Sequence, residues 1–154
     1  MKVRQAVLGD AGEISEFLQQ LEKQGLRTLP SDAAYVRSHY IDHADKIQCA
    51  VALAEDGTIL GLQILKVASE GNVYGVTAGW GIIGTHVRPN AARRGVGKAL
   101  FVATHAAAVK AELENIDASI GAANAGALSF YESIGFRTYR TPEGKVCKCF
   151  EVTA

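Results

Sequence analysis

The stretch from residue 87 to residue 100 contains the residue types that are needed to bind a phosphate group. Two arginines and a lysine surround two glycines there, namely Arg93, Arg94, Lys98, Gly95 and Gly97. A β-rich run precedes the stretch and an alanine-rich helical run follows it. Glycine lets a backbone approach a ligand closely, and the first amides of a helix are unpaired donors at the positive end of its dipole. The stretch therefore predicts a site for a pyrophosphate-bearing cofactor.

Two common phosphate-binding motifs do not fit this stretch. A P-loop has a Ser or Thr after its Gly-Lys pair to bind magnesium, whereas Ala99 follows Lys98 here and Ala92 stands at the first glycine position. A dinucleotide-binding fingerprint ends on a third Gly or Ala, where this chain has Leu100. The stretch is then either another kind of phosphate loop or a glycine-rich turn with a solvated basic edge.

A second set of residues lies along one face of a helix that starts at Asn124. Asn124, Ala127 and Tyr131 are separated by three and four residues, so they line the same side of that helix. Asn124 can bond the amides of an extended ligand arm, Ala127 leaves room for it, and Tyr131 brings a hydroxyl to its end. Phe130 and Ile134 are expected to point into the core. Taken alone, Tyr131 would fit an ordinary half-buried tyrosine equally well.

Together, the two motifs resemble the signature of the GNAT superfamily of N-acyltransferases. In the acyl-CoA loop of that family a valine ends a strand, a proline often follows, and Gln/Arg-x-x-Gly-x-Gly/Ala opens a helix; the matching residues are Val87, Pro89, Gly95 and Gly97. The second motif resembles N-x-x-A-x-x-F-Y-x-x-x-G-F, matched by Asn124, Ala127, Phe130, Tyr131, Gly135 and Phe136. Ala92 departs from the Gln/Arg position, which leaves the pyrophosphate to backbone amides and to Arg93 or Arg94.

The resemblance implies an N-acetyltransferase that moves an acetyl (acyl) group from acetyl-CoA to a primary amine by direct attack in a ternary complex. A backbone amide at the end of the strand that carries Val87 would polarise the thioester, and Tyr131 would be the general acid for the leaving thiolate. The alternative is a CoA-binding regulatory module with weak or no turnover. The implied cofactor-binding residues are Val87, Arg93, Arg94, Gly95, Val96, Gly97, Lys98, Asn124, Ala127 and Tyr131.

The group that takes the amine proton stays open. Many relatives carry Glu, Asp or His on the strand before the phosphate loop, but residues 79–85 include no titratable side chain. The candidates are His86, Glu70, Glu132 or water. The acceptor, a small-molecule amine or a protein or peptide amine, is expected near the first two helices and residues 71–79. Aromatic and imidazole side chains in that region are Tyr35, His39, Tyr40, Tyr74 and Trp80.

Local patterns predict the elements that position these residues. Asp10 followed by Glu13 resembles a capping box that opens a helix, Ser31 is expected to cap a short second helix, and Asp56-Gly57 predicts a hairpin. The predicted order is β-α-α-β-β-β-α-β-α-β-β, and the helix after Gly95 must connect two roughly parallel strands. We therefore expect an α/β, GNAT-like fold in one domain, residues 1–154, with a central mixed and mostly antiparallel sheet of about six to seven strands and about four helices.

Composition bounds the partners and the compartment. The formal net charge of the 154 residues is zero, which argues against a general nucleic-acid or anionic-membrane binder. An odd cysteine count and no visible secretory or membrane segment lead us to expect a cytoplasmic protein. Cys147 and Cys149 lack further ligands nearby for zinc, so no metal is expected. Many GNAT relatives dimerise through terminal strands, and the apolar C-terminal strand suggests a homodimer.

Overall fold

The structure, a computed structural model, describes residues 1–153 and builds them around one seven-stranded sheet. The strands are β1 (Lys2–Gln5), β2 (Lys46–Leu53), β3 (Ile59–Val67), β4 (Gly81–Val87), β5 (Asn115–Gly121), β6 (Arg137–Arg140) and β7 (Lys145–Glu151). The helices are α1 (Ala11–Lys23), α2 (Ala33–Val36), α3 (Val96–Lys110) and α4 (Ala125–Ser133). A π-helical turn, Arg37–Ile41, continues α2.

The strand order in the sheet is β1-β2-β3-β4-β5-β7-β6. Neighbouring strands are antiparallel except for β4 and β5, which are parallel and are joined by α3. A parallel pair needs such a crossover. The predicted fold class and element order are therefore confirmed.

The helices divide between the two faces of the sheet. Apolar residues of α1, among them Ile14 and Phe17, pack with Leu62 and Ile64 of β3 in one core cluster. A second cluster contains residues of α3 and α4 together with β5, for example Phe101, Tyr131 and Ile116. Because side chains alternate along a strand, the even-numbered residues of β4 face α1 and α2, and its odd-numbered residues face α3 and α4.

The expected capping box at the start of α1 is wrong, although the helix begins where expected. The Asp10 carboxylate receives two hydrogen bonds from Arg4, of 2.8 and 2.9 Å, and makes none to α1. The Glu13 carboxylate accepts the Ile59 amide (2.6 Å) and pairs with Arg88 (3.2 Å). Both acids are engaged by partners from the sheet and its loops, so they fasten the helix to the sheet rather than capping it.

The expected cap of α2 is displaced by one residue. Asp32 accepts the Tyr35 amide (3.2 Å) and is the N-cap. The hydroxyl of Ser31 instead donates to Glu22 (2.9 Å) and accepts from Arg27 (3.0 Å). Ser31 therefore holds the connection between α1 and α2.

The C-terminal strand does not offer the free edge that the suggested homodimer would use. β7 pairs with β5 on one side and with β6 on the other, so the sheet ends at β1 and β6. Dimerisation remains a prediction, but the C-terminal strand no longer supports it. None of the helices formed by the described residues has both the length and the apolar character needed to cross a bilayer.

We expect the ion pair of Asp10 to stabilise the fold above pH 4. The Arg4 guanidinium beside Asp10 holds the pKa of that carboxyl below its usual value near 3.8. Its contribution is therefore present above that pH and is lost as the pH falls through the lowered pKa. Asp10→Asn should lower the free energy of unfolding by about 1.5 kcal/mol at pH 7 and by less at pH 3, as measured by urea denaturation.

Asp42→Asn, at an exposed carboxylate, is the matched control and should change stability by less than about 0.5 kcal/mol. An Asp10→Asn effect as small as that of the control at pH 7 would contradict the prediction.

Candidate active site

A gap opens in the sheet between β4 and β5. The two strands pair at Gly81 with Ile116 and at Ile82 with Asp117, and their pairing ends there. β4 continues to Val87 without a partner on this side, and β5 likewise continues to its end. The gap therefore exposes backbone donors and acceptors on both strands.

The amides of Thr85 and Val87 point into this gap. The Arg88 amide donates to the Leu60 carbonyl of the β3 side (2.8 Å), so the even-numbered residues of β4 are those bonded to β3. Successive amides of a strand alternate in direction, which turns the odd-numbered ones toward β5. Val87, one of the residues predicted to bind the donor, thus presents its backbone to the gap.

The mouth of the gap is the N-terminus of α3. Gly95 is the N-cap residue with φ of 79°, a left-handed conformation that glycine adopts without strain, and Arg93 also has a positive φ of 63°. No described residue accepts the amides of Gly95, Val96, Gly97 or Lys98, since the first helical bond runs from Ala99 to the Gly95 carbonyl. These unpaired amides form an anion-binding nest at the positive end of a 15-residue helix.

Positive side chains surround this nest. Arg93, Arg94 and Lys98 are exposed, and Arg94 is held only by a long bond of 3.4 Å to the Asn90 carbonyl. Their guanidinium and ammonium groups are free to turn toward an anion. The side chain of Val96 is buried in the core, so this residue offers its amide alone.

A close contact between the start of α3 and α4 connects the two sequence motifs. A Cβ atom added to Gly97 would lie 2.6 Å from the Phe130 ring, so only glycine fits at this position. Phe130 is half-buried and packs against the second core cluster, as does Ile134, and both placements match the sequence-based expectation. Gly97 of the first motif therefore leaves the space that the Phe130 ring of the second motif occupies.

Asn124 begins the helix that carries the second motif. Its side-chain oxygen accepts the Ala127 amide (3.1 Å), which caps α4 and leaves the side-chain NH2 group as the available donor. Ala127, one turn further, packs partly against the core. The structure thus gives Asn124 a structural role that the spacing argument did not foresee, in addition to the predicted binding role.

The hydroxyl of Tyr131 lies at the base of the gap. It donates to the Thr85 hydroxyl (2.9 Å) of β4, although the Tyr131 side chain is buried. The same Thr85 oxygen accepts the side-chain amide of Gln63 (3.0 Å), whose own oxygen accepts from Thr104. A chain of four polar side chains from α3, β3, β4 and α4 therefore fixes the position of the phenol.

Burial raises the pKa of Tyr131 to about 12 and outweighs the opposite effect of its contacts with Thr85. The nearby charge of Asp117 adds to the increase. Tyr131 is consequently a neutral hydrogen-bond donor over the whole physiological range.

The titratable residues suggested as proton acceptors have different surroundings. His86 is half-buried on the α1–α2 side of β4, and burial, aided by the charge of Arg27, lowers its pKa to about 3. The carboxylate of Glu132 pairs with Lys148 (2.7 Å) on the outer side of α4, and Glu70 is exposed in the loop after β3. Of these three residues, His86 is the one on a strand that lines the gap.

Asp117 was not identified from the sequence, yet it lies fully buried where β4 and β5 separate. Its carboxylate accepts hydrogen bonds from Tyr139 and from Ser119 (2.8 Å), and Arg140 lies 3.8 Å away. Burial and the hydrogen bond to Asp117 raise the pKa of Tyr139 to about 12. A carboxylate in the middle of an apolar strand was the available sequence signal.

His, Cys, Asp and Glu side chains of residues 1–153 form no group of three that could hold a metal ion. Cys147 and Cys149 face the same side of β7 but contact different partners, Ser119 (3.6 Å) and Asn115 (3.5 Å).

Comparisons with known proteins place this geometry among the acetyltransferases. A model of the acetyltransferase (GNAT) family matches residues 15–136. The chain is similar to the structure of a GCN5-related N-acetyltransferase from Kribbella flavida, at 22% identity and a TM-score of 0.81 over 97% of this chain and 96% of that one. It is also similar to yncA from Salmonella typhimurium, solved with its cofactor acetyl-CoA, at 17% identity and a TM-score of 0.72 over 99% and 94%.

A third similar structure is the PaiA N-acetyltransferase from Thermoplasma acidophilum in complex with coenzyme A, at 16% identity and a TM-score of 0.73 over 97% of this chain and 98% of that one. At these identities the likeness establishes the fold. Comparison with curated proteins finds no match.

Packing at Gly97 should be required both for stability and for the anion-binding nest. Gly97→Ala must push Phe130 away, and we expect it to lower the free energy of unfolding by about 2 kcal/mol and to weaken coenzyme A binding in calorimetry. Combining it with Phe130→Leu should cost less than the sum of the two single changes, because the clash is relieved. Gly126→Ala, which would meet no atom closer than 3.9 Å, is the control and should be neutral or stabilising. Strict additivity of the two changes would argue against the clash.

Proposed function

Because the chain belongs to the GNAT family of acetyltransferases, we propose that it transfers the acetyl group of acetyl-CoA to a primary amine by direct attack in a ternary complex. The observation that carries this proposal is that three features lie on or beside β4. They are the unpaired amides at the start of α3, the open edge of β4 and the buried Tyr131 hydroxyl that touches that edge.

The gap and its mouth fit the donor in charge and in hydrogen bonding. A pyrophosphate carries negative charge and accepts hydrogen bonds, which matches the nest of amides and the exposed cations beside it. The amides of a pantetheine arm match the unpaired edge of β4. We assign pyrophosphate binding to Arg93, Arg94, Gly95, Val96, Gly97 and Lys98, and binding of the arm to Val87, Asn124, Ala127 and Tyr131.

The thioester supplies an activated acyl group, and the residues of the gap guide its transfer. The amine nitrogen forms a bond to the carbonyl carbon while the carbon–sulfur bond breaks, giving an amide and a free thiol. Charge that develops on the carbonyl oxygen is stabilised by an amide of the open edge, of Thr85 or of Val87, which needs no reorganisation to reach it. The thiolate that leaves is protonated, and the nitrogen loses one proton.

Tyr131 serves the leaving sulfur. A free thiol has a pKa near 8.5 and the phenol one of about 12, so complete proton transfer to an ordinary thiolate would be uphill by about 5 kcal/mol. Burial in the gap raises the pKa of the thiol as well, which narrows this difference. Tyr131 therefore stabilises the sulfur first as a hydrogen-bond donor and transfers its proton as negative charge accumulates there.

We propose that water relays the proton of the amine to bulk solvent, so that the amine reacts in its neutral form. The pKa of His86 is about 3, so its imidazole is a much weaker base than an amine near pKa 10 and gives little help as a general base. Glu132 is paired with Lys148, and Glu70 is exposed. We assign to His86 the role of a neutral polar wall of the acceptor side.

A second function, a coenzyme A sensor without turnover, is favoured by two observations. Residues 79–85 carry no titratable side chain, and Ala92 replaces the Gln or Arg of the family loop. Coenzyme A binding in calorimetry without thiol release from acetyl-CoA across a panel of amines would support this second function. A cytoplasmic location and a homodimer remain expectations from the sequence.

Removing the Tyr131 hydroxyl should slow the reaction without weakening donor binding. Tyr131→Phe should lower kcat by about 100-fold while the coenzyme A dissociation constant, measured by calorimetry, changes by less than about threefold. Thr85→Val, which removes the acceptor that orients the phenol, should give a smaller loss. Unchanged kcat in Tyr131→Phe at every pH would overturn the general-acid assignment.

The pH dependence of kcat/KM should follow the pKa of the acceptor amine rather than that of a histidine. Because His86 stays neutral above about pH 3, kcat/KM should rise with pH toward the pKa of the acceptor amine, with no inflection near 6.5. Stopped assays of thiol release from pH 5 to 9 would measure the profile. His86→Gln should keep its shape, and loss of an acidic limb near pH 6.5 in that variant would identify His86 as the base instead.

A further inference from the structure

Arg27, in the connection between α1 and α2, is a buried cation that no carboxylate contacts directly; Glu22 is linked to it only through the Ser31 hydroxyl. Arg27 is 7% exposed, and it takes part in none of the ion pairs formed by the described residues. Its Nε donates to the Ser31 hydroxyl (3.0 Å) and its Nη2 to the Pro30 carbonyl (2.5 Å). Its Nη1 is buried without an acceptor. Buried charges are normally paired, because removing them from water is costly.

A second unpartnered donor lies beside it. The Tyr40 hydroxyl is buried without a hydrogen-bond partner, in a residue that is 5% exposed. The guanidinium carbon of Arg27 lies 5.7 Å from the centre of the Tyr40 ring and 5.7 Å from that of Tyr35. One positive charge and two unused donors therefore lie close to two aromatic rings.

This cluster lies on the side of the sheet from which the acceptor is expected to approach. The Tyr40 ring is 5.4 Å from the ring of His86, and His86 follows Thr85, the residue that holds the Tyr131 hydroxyl. The field of Arg27 also contributes to the low pKa of His86, which is consistent with their proximity. The Arg27–Tyr40 cluster and the Tyr131 hydroxyl therefore lie on opposite faces of the same strand, β4.

We propose that Arg27 and Tyr40 bind the carboxylate of the acceptor, so that the substrates are amines that also carry a carboxylate, such as free amino acids. This inference rests on the proposed acetyl transfer and names its acceptor class. A carboxylate supplies the missing negative charge and has lone pairs for both the Nη1 group and the phenol. A buried water would satisfy the hydrogen bonds but would leave the guanidinium without a carboxylate in direct contact.

The test compares acids with neutral counterparts of the same shape. Thiol release from acetyl-CoA is measured with the twenty L-amino acids and with the carboxamide of each, which keeps the amine and removes the negative charge. We expect kcat/KM for the best acids to exceed that of their carboxamides by at least about 100-fold, because a site built for a polar group rejects analogues that lack it. Calorimetry with coenzyme A is run alongside to test donor binding independently.

Variants then ask whether this preference comes from the cluster. Tyr40→Phe removes only a hydroxyl that has no partner, so the melting temperature should hold or rise, while the acid-to-carboxamide ratio of kcat/KM should fall by about tenfold. Arg27→Lys, which keeps the charge but changes the geometry, should lower the ratio further. A merely structural Arg27 would alter stability and leave the ratio as it was.

The outcomes separate the two proposals. Carboxamides that are acetylated as well as acids, or a preference that survives both variants, would overturn the carboxylate site and leave acetyl transfer standing. Failure to bind coenzyme A would overturn the proposed function itself. If coenzyme A binds without turnover, the melting temperature of the complex is recorded with each acid and carboxamide. A shift with acids alone supports the site, and the absence of such a shift overturns it.

Discussion

The site depends on how early β4 and β5 stop pairing. Two parallel strands that remained bonded to their ends would use every donor along the shared edge, and no ligand could enter the sheet. Here the pairing ends after Ile82 and Asp117, which leaves the Thr85 and Val87 amides facing a gap. The same divergence gives Tyr131 space to reach β4 from α4. The proposed donor binding, charge stabilisation and proton supply therefore all depend on one interruption in a hydrogen-bonded ladder.

An interrupted sheet needs other contacts to keep the walls of the gap in place. The polar chain from Thr104 through Gln63 and Thr85 to Tyr131 crosses four elements beneath the gap. These side chains hydrogen-bond to one another, so their buried polar atoms are paired. They therefore make the gap more rigid without the cost of burying unpaired polar groups. On the outside, the contact of Gly97 with the Phe130 ring sets the distance between the two helices. Hydrogen bonds beneath the gap and the Gly97–Phe130 contact between the helices thus hold its two walls in place.

The parts of this site that are local in sequence could be predicted, and the parts that depend on distant contacts could not. The glycines before α3 and the helical spacing of Asn124 and Tyr131 are visible in the sequence. The structure packs the start of α3 against Val87 and places the Tyr131 hydroxyl on Thr85 of the same strand. The Asp10–Glu13 pattern misled because partners such as Arg4 competed for the same carboxylates.

The acceptor side was less accessible to sequence reasoning. Arg27 and Tyr40 are separated by a loop and a short helix, and nothing in their spacing indicates that both end up buried beside His86. Asp117 is similar, since its partners come from β6 and from its own strand. A buried donor without a partner can be recognised only when the coordinates of all its neighbours are known. A helical period, in contrast, can be recognised from the sequence of one segment alone.

The half-buried imidazole of His86 couples the folding of this chain to acid. An unfolded histidine gains a proton below about pH 6.5, whereas the folded protein holds the pKa of His86 to about 3. As the pH falls between these values, the unfolded chain takes up a proton that the native state refuses. The free energy of unfolding then declines by up to about 1.4 kcal/mol per pH unit on account of this residue. The surroundings of His86 on the α1–α2 side of β4 therefore make the fold less stable in acid.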